Sequence, residues 1–275
     1  MTTSVIRIFP IYLLLATLIS CTKKNQTITF SAIGDVPYSE EVAQQLEQNI
    51  QEHNKTSESL FVVHLGDIKP GSKPCDEAVY KRVSGILKEF SKPVYIIPGD
   101  NEYNDCDDPV EAFGFWKKYF LHFHERWNPK WPTSYQAGQG ENFTWVQNDV
   151  LFVGLNIVGG RVHDPDEWNQ RLASNAEWLG QHVDENSPKA VVIFGHANMN
   201  NHPEKFEVFV DEFLSLANRY KKPILYLQGD GHVWIDDRPW KEQNIRRIQV
   251  DAGANILKVI IDANLDDPFV FNRTP

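Results

Sequence analysis

Basic residues are in short supply in this sequence. The chain of 275 residues has 27 Lys and Arg against 37 Asp and Glu, which gives a formal net charge of -10. Proteins that bind a nucleic-acid backbone need a basic face, so we expect no such partner. Small anionic ligands are not excluded, because a bound cation can reverse the local field around acidic residues.

Long apolar runs are also few. The run from Ile8 to Ile19 follows a single cation, Arg7. It is short for a membrane span but has the length of the apolar region of a secretory signal peptide. No other segment is apolar and long enough to cross a bilayer. The N-terminus therefore indicates export of the chain.

The apolar run ends in the tetrapeptide LISC at positions 18–21, which resembles the bacterial lipobox. In such sequences the Cys becomes the lipidated first residue of the mature protein. We therefore predict a lipoprotein signal peptide over residues 1–20, a domain over residues 21–275 and lipidation of Cys21. The lipid would anchor the protein to a membrane of the bacterial cell envelope, in the periplasm or at the outer membrane. An ordinary signal peptide with an incidental Cys is the alternative.

Cysteine is rare, with three residues in the chain. Once Cys21 is assigned to the lipid, Cys75 and Cys106 form an even pair in an exported chain, which favours a disulfide. Each lies a few residues beyond an apolar run that ends in an aspartate, Asp67 or Asp100. If those runs are neighbouring strands, their loops leave the same edge of a sheet and the two thiols can meet. Two free thiols are the alternative.

The remaining sequence alternates short apolar runs with amphipathic stretches. The apolar runs are mostly continuous, which is typical of strands buried on both faces. They cover residues 27–33, 59–65, 93–98, 150–158, 190–195 and 223–228, with weaker candidates at 248–250 and 257–262. Helical patterns cover residues 40–54, 77–90, 165–183 and 203–220. This alternation predicts a single α/β domain.

Aromatic residues are concentrated between residues 107 and 145. We predict a helix over about residues 109–126, with most of its aromatic side chains packed on the core. Residues 127–135, WNPKWPTSY, are interpreted as a surface loop. This loop could form a wall of the active cleft, or it could be a structural loop held by stacked aromatic rings.

Apolar strands in this sequence repeatedly end in Gly-Asp. Ligands of open α/β sheets bind beyond the carboxyl ends of the strands, and Gly lets the chain turn sharply there. Aspartates that converge at one edge repel each other unless a cation holds them. The pattern therefore predicts a metal site. The dipeptides are Gly34-Asp35, Gly66-Asp67, Gly99-Asp100 and Gly229-Asp230, with Gly195-His196 and then His232 in addition.

The ordered motifs GDVPY, HLGD, PGDNE, FGH and GDGH resemble those of the calcineurin-like metallophosphoesterase superfamily. The resemblance runs from Ala32 to about Asp236. It implies an α/β fold of two packed mixed β-sheets flanked by helices, a four-layer sandwich. It also implies two divalent metal ions at the strand ends.

The resemblance further assigns ligands to the two ions. Asp35 and His232 match ligands of the first ion, and Asp67 matches the residue that bridges both. The ligands that the resemblance implies for the second ion are Asp100, His196 and Asp230. Two of these are substitutions, because Asp100 stands where Asn is usual and Asp230 where His is usual. Extra carboxylates favour harder ions, so Mn²⁺ and Mg²⁺ gain on Zn²⁺, and iron is also compatible. Glu102 matches an acidic residue that orients a ligand or its loop.

Two histidines of the family pattern are missing. Pro37 replaces the first, and the adjacent Tyr38 is expected to contact the substrate, with metal ligation as the alternative. Asn101 replaces the second, a catalytic histidine. It can donate a hydrogen bond to a phosphoryl oxygen but cannot act as a general acid.

Three further residues are candidates for binding substrate. Arg126 and Arg161 are candidate phosphate contacts, with surface ion pairs as the alternative. His202 is the first candidate to replace the missing acid. The expected function is metal-dependent hydrolysis of a phosphomonoester or phosphodiester, by attack of a metal-bridging hydroxide on phosphorus. The alternative is a catalytically weak or inactive lipid-anchored protein that binds a metal or ligand with the same fold.

Overall fold

The computed structural model describes residues 27–273 of the chain. The predicted signal peptide, residues 1–20, and the predicted lipidation site, Cys21, lie outside these residues. Within them, none of the helices combines the length and the apolar character that a membrane span needs.

One sheet has five strands in the spatial order β12-β11-β1-β2-β3. The first three strands run parallel in this sheet. Strand β11 pairs with β1 in antiparallel orientation, and β12 pairs with β11 in antiparallel orientation. The strands are β1 (Ile28–Ile33), β2 (Val62–His64), β3 (Val94–Ile96), β11 (Leu257–Ile261) and β12 (Phe269–Asn272).

The second sheet has seven strands in the order β4-β5-β6-β7-β8-β10-β9. Its centre, β6-β7-β8-β10, is parallel, and antiparallel strands flank it on both sides. The strands are β4 (Ser134–Gln136), β5 (Gln139–Gln147), β6 (Val150–Gly154), β7 (Ala190–Phe194), β8 (Ile224–Gln228), β9 (Ile235–Asp237) and β10 (Ile245–Gln249).

Five α-helices connect the strands of the described chain. They are α1 (Glu40–Thr56), α2 (Glu77–Leu87), α3 (Pro109–Phe120), α4 (Pro165–Asn186) and α5 (Glu207–Tyr220). Side-chain caps set three of the N-termini. Ser39 accepts the Val42 N–H at the start of α1. Asp108 and Asp164 cap α3 and α4, and each is followed by Pro at the first helical position.

Three apolar clusters hold four layers together. The central cluster joins the inner faces of the two sheets and contains Phe30, Phe61 and Phe152. A second cluster packs α4 and α5 on the outer face of the seven-stranded sheet. The third packs α1, α2 and α3 on the five-stranded sheet. The predicted architecture, two mixed β-sheets flanked by helices, is therefore confirmed.

The aromatic segment departs from its predicted secondary structure. Helix α3 ends at Phe120, because His122 adopts a left-handed conformation with φ of 53° and a short 3-10 turn follows over Phe123–Trp127. In the loop after this turn, Trp131 donates its indole N–H to the Tyr95 hydroxyl at 2.6 Å and packs on the central cluster. The loop is therefore structural, as one of the two interpretations had it.

Candidate metal centre

The predicted ligands lie at the carboxyl ends of strands from both sheets. Asp35, Asp67 and Asp100 follow the neighbouring parallel strands β1, β2 and β3. His196 and Asp230 follow β7 and β8 of the other sheet. The two edges meet, since the carboxylate of Asp35 accepts the backbone N–H of Asp230 at 3.1 and 3.2 Å. The fold therefore brings ligands from distant parts of the sequence into one cluster.

Several of these residues adopt a left-handed backbone conformation that non-glycine residues seldom use. Such conformations cost on the order of 1–3 kcal/mol each and are concentrated at functional sites. Here they direct carboxylates and an imidazole out of the strand ends. The φ angles are 54° for Asp35, 61° for Asp67, 73° for Asp230 and 61° for His232.

Two glycines allow the loops after β2 and β3 to approach closely. A Cβ on Gly66, where φ is 88°, would lie 2.6 Å from the Gly99 nitrogen and 2.9 Å from His196 Nδ1. A Cβ on Gly99 would overlap the backbone of Asp67. Any larger residue at either position would push apart two loops that carry predicted ligands.

The buried part of the cluster is built around His196, which has no exposed surface. Its Nδ1 is held by the Leu65 carbonyl at 2.7 Å. This bond leaves Nε2 directed at the carboxylates, with Asp67 Oδ1 at 3.3 Å and Asp100 Oδ1 at 3.5 Å. Potential ligand atoms of His196, Asp100 and Asp230 lie within 4.8 Å of one another. We call this group the second position.

The more open part of the cluster contains Asp35 and His232, whose Oδ1 and Nε2 atoms are 3.5 Å apart. The His232 side chain is 50% exposed. The hydroxyl of the half-buried Tyr38 lies 3.4 Å from Asp35 Oδ1 and 3.3 Å from His232 Nε2, and it donates to Asp67 Oδ2 at 2.6 Å. We call Asp35, His232 and Tyr38 the first position. Asp67 belongs to both positions, because potential ligand atoms of Asp35, Asp67 and His196 also lie within 4.8 Å of one another.

The electrostatics of the cluster favour a positive charge in its interior. Burial raises the pKa of Asp67 well above its ordinary value, and burial also raises the pKa of Glu102 and of Asp230. Burial favours a neutral imidazole at His196, yet Asp67 and Asp100 raise its pKa. The hydrogen bond from His232 to Asp35 raises the pKa of His232. Crowded carboxylates of this kind are stabilised by cations.

Glu102 fixes the loops that carry the ligands. It is fully buried, and its Oε1 accepts the N–H groups of Gly99 at 2.7 Å and of Asp67 at 3.2 Å. Its Oε2 accepts the Ile68 N–H at 3.3 Å. The carboxylate thus ties the loop after β3 to the loop after β2. Its contacts agree with the orienting role that the resemblance implies.

Asn101 also lies inside the cluster. Its backbone N–H donates to Asp67 Oδ1 at 3.0 Å. Its side-chain amide donates to the Tyr38 hydroxyl at 3.0 Å and to Asp67 Oδ2. The amide is therefore next to the predicted ligands, where a hydrogen bond to a substrate oxygen is expected.

The donor set fits divalent metal ions. The Nε2 atom of His196 is buried and has no hydrogen-bond partner within the described residues. A buried nitrogen without a partner is costly, and a metal ligand is oriented in just this way when the other ring nitrogen donates to a carbonyl. Carboxylate oxygens with imidazole nitrogens suit Mn²⁺, Fe or Zn²⁺, and a carboxylate-rich set suits Mg²⁺ as well.

The disulfide predicted from the cysteine count is confirmed. Cys75 and Cys106 are bonded, with Cα atoms 5.9 Å apart. The bond joins the segment after Asp67 to the segment after Asp100, as their placement beyond neighbouring strands suggested. Disulfides are typical of exported proteins.

The other three predicted substrate contacts, Arg126, Arg161 and His202, interact with groups other than the predicted ligands. Arg126 donates to the Phe123 carbonyl at 3.2 Å and stacks on the Phe123 ring. Arg161 donates to the Asp105 carbonyl at 3.0 Å. His202 is exposed, and its Nδ1 lies 3.4 Å from Glu204 Oε1. Their roles toward a substrate stay predictions.

Three residues of the site were not identified from the sequence. Asn198 donates its backbone N–H to Asp230 Oδ2 at 2.8 Å and so orients that carboxylate. Gly159 leaves room for Asp100, because a Cβ there would lie 2.7 Å from Asp100 Oδ2. Lys69 is buried, and burial lowers its pKa. For Asn198, the signal in the sequence is its position two residues beyond His196.

Comparison with known proteins agrees with this geometry. The family model described as calcineurin-like phosphoesterase matches residues 28–242. The match covers most of the chain, so the protein belongs to the calcineurin-like phosphoesterase family. The resemblance inferred from the sequence motifs is thereby confirmed. No curated protein sequence matches the chain.

Solved structures that share the fold include the following two. One is GAP50, described as the anchor in the inner membrane complex of Plasmodium, with a TM-score of 0.55 and 9% identity over 90% of this chain and 88% of that one. The other is a 5'-nucleotidase from Candida albicans, with a TM-score of 0.53 and 12% identity over 90% of this chain. This chain spans 50% of the nucleotidase. Identities this low demonstrate a common fold alone.

Proposed function

We propose that this protein is a metal-dependent hydrolase of phosphomonoesters or phosphodiesters, with two divalent ions held at the first and second positions. The observation that carries the proposal is the buried Nε2 of His196. It has no hydrogen-bond partner among residues 27–273, and it lies 3.3 Å from Asp67 Oδ1 and 3.5 Å from Asp100 Oδ1. Two buried carboxylates this close to an imidazole need a compensating positive charge, which a divalent cation at this position would supply.

The ligands would be shared between the two positions. Asp35 and His232 would hold the first ion, Asp67 would contact both, and the second position would bind its ion through Asp100, His196 and Asp230. When bound, such ions polarise a phosphoryl group and lower the pKa of water. The ligand set is rich in carboxylates, which weakens its attraction for a phosphate dianion, so we expect modest turnover.

The residues of the chain itself would orient the substrate. Asn101 carries an amide donor beside Asp67, and it would stabilise charge on a phosphoryl oxygen. Glu102 and Asn198 would hold the ligand-bearing loops in place through the hydrogen bonds described above. Of the two predicted arginine contacts, Arg161 is the stronger candidate to bind phosphate, because it follows the Gly159-Gly160 turn beside Asp100.

A binding protein without turnover is the second candidate. The specific observation in its favour is the absence of the two family histidines, at Pro37 and Asn101. The same fold occurs in a protein described as an anchor and in a nucleotidase, so architecture alone does not separate the two functions. The retained ligand chemistry favours the hydrolase, because Asp100 and Asp230 can still bind metal.

The test combines metal analysis with hydrolysis of p-nitrophenyl phosphate and its bis-ester, with Mn²⁺, Mg²⁺ and Zn²⁺ supplied in turn. We expect two ions per chain and measurable hydrolysis of at least one ester, fastest with Mn²⁺ or Mg²⁺. Fewer than one bound ion and no hydrolysis of either ester would refute the proposal. Two bound ions without hydrolysis would favour the binding protein.

We also propose that the protein is held in the bacterial envelope by a lipid on Cys21. The disulfide between Cys75 and Cys106 supports export. Replacement of Cys21 by Ser should move the protein from the membrane fraction to the soluble fraction. An unchanged membrane fraction would contradict the anchor.

A further inference from the structure

The hydroxyl of Tyr38 lies among the predicted ligands of the first position. It donates to Asp67 Oδ2 at 2.6 Å. It also lies 3.4 Å from Asp35 Oδ1 and 3.3 Å from His232 Nε2. One phenol oxygen therefore touches a ligand atom of each of the three residues that would hold the first ion.

Two of these three separations are those between neighbouring ligands of one ion. When ligand atoms lie about 2.1 Å from a metal, adjacent ligands are about 3 Å apart in an octahedral shell and about 3.4 Å apart in a tetrahedral one. The distances from Tyr38 Oη to His232 Nε2 and to Asp35 Oδ1, 3.3 and 3.4 Å, fall in this range, whereas the 2.6 Å to Asp67 Oδ2 is that of an O–H···O hydrogen bond. We propose that Tyr38 Oη is a ligand of the ion at the first position and takes the place left by Pro37. This inference rests on the proposed metal centre.

The surroundings of Tyr38 suit this role. Asn101 donates its side-chain N–H to the phenol oxygen at 3.0 Å, and a ligating phenolate can accept such a bond. The ring of Tyr38 packs edge-on against the ring of His232, with centroids 5.3 Å apart, so the two side chains orient each other. When the ion binds, the phenol O–H bond breaks, the proton leaves to the buffer and the oxygen keeps the electron pair that it donates to the metal.

This role differs from the substrate contact predicted from the sequence. A substrate contact alone does not account for a phenol oxygen that lies within 3.4 Å of a predicted ligand atom of three different residues. The competing arrangement is one in which the hydroxyl fills the place of the first ion and excludes it. The two arrangements make opposite predictions for removal of the hydroxyl. If Tyr38 is a ligand, the first ion should bind more weakly without the hydroxyl, and if the hydroxyl excludes the ion, the ion should bind once the hydroxyl is gone.

The experiment uses Fe³⁺ as the probe, because a phenolate bound to Fe³⁺ absorbs visible light by charge transfer. The wild type is loaded with Fe³⁺, and its visible spectrum and bound metal are compared with those of Tyr38→Phe. Binding of Mn²⁺ is measured in parallel by calorimetry. Tyr80→Phe is the matched control, since it also removes one buried hydroxyl near the centre, which donates to the Glu102 carbonyl at 2.8 Å.

We expect the wild type and Tyr80→Phe to be coloured and to hold two ions. Tyr38→Phe should lose the band and bind one of its ions at least tenfold more weakly. Tyr38→His should lose the band but keep two ions, because imidazole replaces the phenolate; this variant tests the role even if Tyr38→Phe folds poorly.

Two results would overturn the role of Tyr38 alone. The first is a wild type that hydrolyses ester and holds both ions while Tyr38→Phe keeps the band or the full affinity. The second is one ion in the wild type and two in Tyr38→Phe. A wild type with neither ions nor turnover would instead overturn the proposed function.

Discussion

The two halves of the candidate centre differ in how firmly the fold holds them. At the second position, His196 is fully buried and its Nδ1 is fixed by the Leu65 carbonyl. At the first position, His232 is 50% exposed and lies on a loop in left-handed conformation. A ligand fixed by a backbone carbonyl loses little freedom when it binds metal. We infer that the second position is preorganised and that the first is completed by the incoming ion.

Asp67 is the predicted ligand that the two positions share. Its Oδ1 lies 3.3 Å from His196 Nε2, and its Oδ2 accepts the Tyr38 hydroxyl. The change Asp67→Ala should therefore empty both positions. We expect hydrolysis of p-nitrophenyl phosphate to fall by about 10³-fold or more, because metal polarisation and activation of water are both lost.

The matched control for this change is Asp149→Ala. Asp149 also has a left-handed backbone, with φ of 63°, but it lies in an exposed turn and pairs with Lys189 at 3.2 Å. Its removal should leave turnover within about twofold of the wild type, since surface ion pairs contribute little. Turnover that survives in Asp67→Ala would show that this aspartate does not bridge the two positions.

The disulfide braces the part of the centre that carries Asp100. It joins residues 31 positions apart and fastens the loop after β3 to the loop after β2. Replacing both Cys75 and Cys106 by Ser should lower the free energy of unfolding by about 2–4 kcal/mol. Urea denaturation of the metal-free protein measures this loss. The second position should also bind metal more weakly.

Cys21→Ser provides the control for the disulfide experiment, because it removes the predicted site of lipid attachment and leaves the bridge intact. Its unfolding free energy should equal that of the wild type. If the double variant were as stable as Cys21→Ser, the bridge would not brace the loops.

The α/β class and the place of the site followed from simple features of the sequence, whereas the two-sheet architecture followed from the family resemblance. Apolar runs located eight of the twelve strands that the structure describes in residues 27–273. The repeated Gly-Asp ends located the cluster, because parallel strands end at a common edge and glycine permits the turn. The strands that were not predicted, β4, β5, β9 and β12, are short or mixed in polarity, and three of them lie at sheet edges. Edge strands have one solvated side and lack the apolar signal.

The remaining parts of the site depend on tertiary contacts that no local pattern reports. Tyr38 is next to His232 only because the two sheets pack face to face, although 194 positions separate them in the chain. The N–H of Asn198 reaches Asp230 for the same reason. The loop around Trp131 has the composition of a cleft wall, yet its indole binds Tyr95 and its ring packs on the core. Residue type alone does not distinguish these outcomes.

Single histidine changes compare the two positions directly. His196→Ala should weaken binding of its Mn²⁺ ion at least tenfold more than His232→Ala weakens the other ion. The reason is that His196 is preorganised, whereas an exposed His232 can be replaced in part by water. Calorimetric titration with Mn²⁺ measures both losses. Equal losses would mean that the two positions are equally preorganised.

The smallest expected effect is the pH dependence of stability that two buried histidines outside the centre cause. Burial lowers the pKa of His124 to about 4 and that of His53 to about 4, from an ordinary value of 6.5. Both lie away from the predicted ligands: His124 stacks on Tyr95, and His53 bonds to Ser31. Each ring stays neutral in the folded protein while the unfolded chain takes up a proton below pH 6.5. Stability is therefore lost as the pH falls from 6.5 toward 4 and is unaffected by these groups above that range.

The change His124→Gln tests this linkage, because Gln can keep a hydrogen bond to the Tyr135 hydroxyl, which lies 3.1 Å from His124 Nε2. At about pH 5.5 the wild type should have lost about 1 kcal/mol to this group, and His124→Gln should show a correspondingly shallower loss. Urea denaturation of the metal-free protein between neutral pH and about pH 5 measures the slope. An identical slope in the two proteins would show that His124 does not carry this linkage. The histidines of the centre act in the opposite direction, because the pKa values of His196 and His232 are raised and their contribution to stability grows as the pH falls.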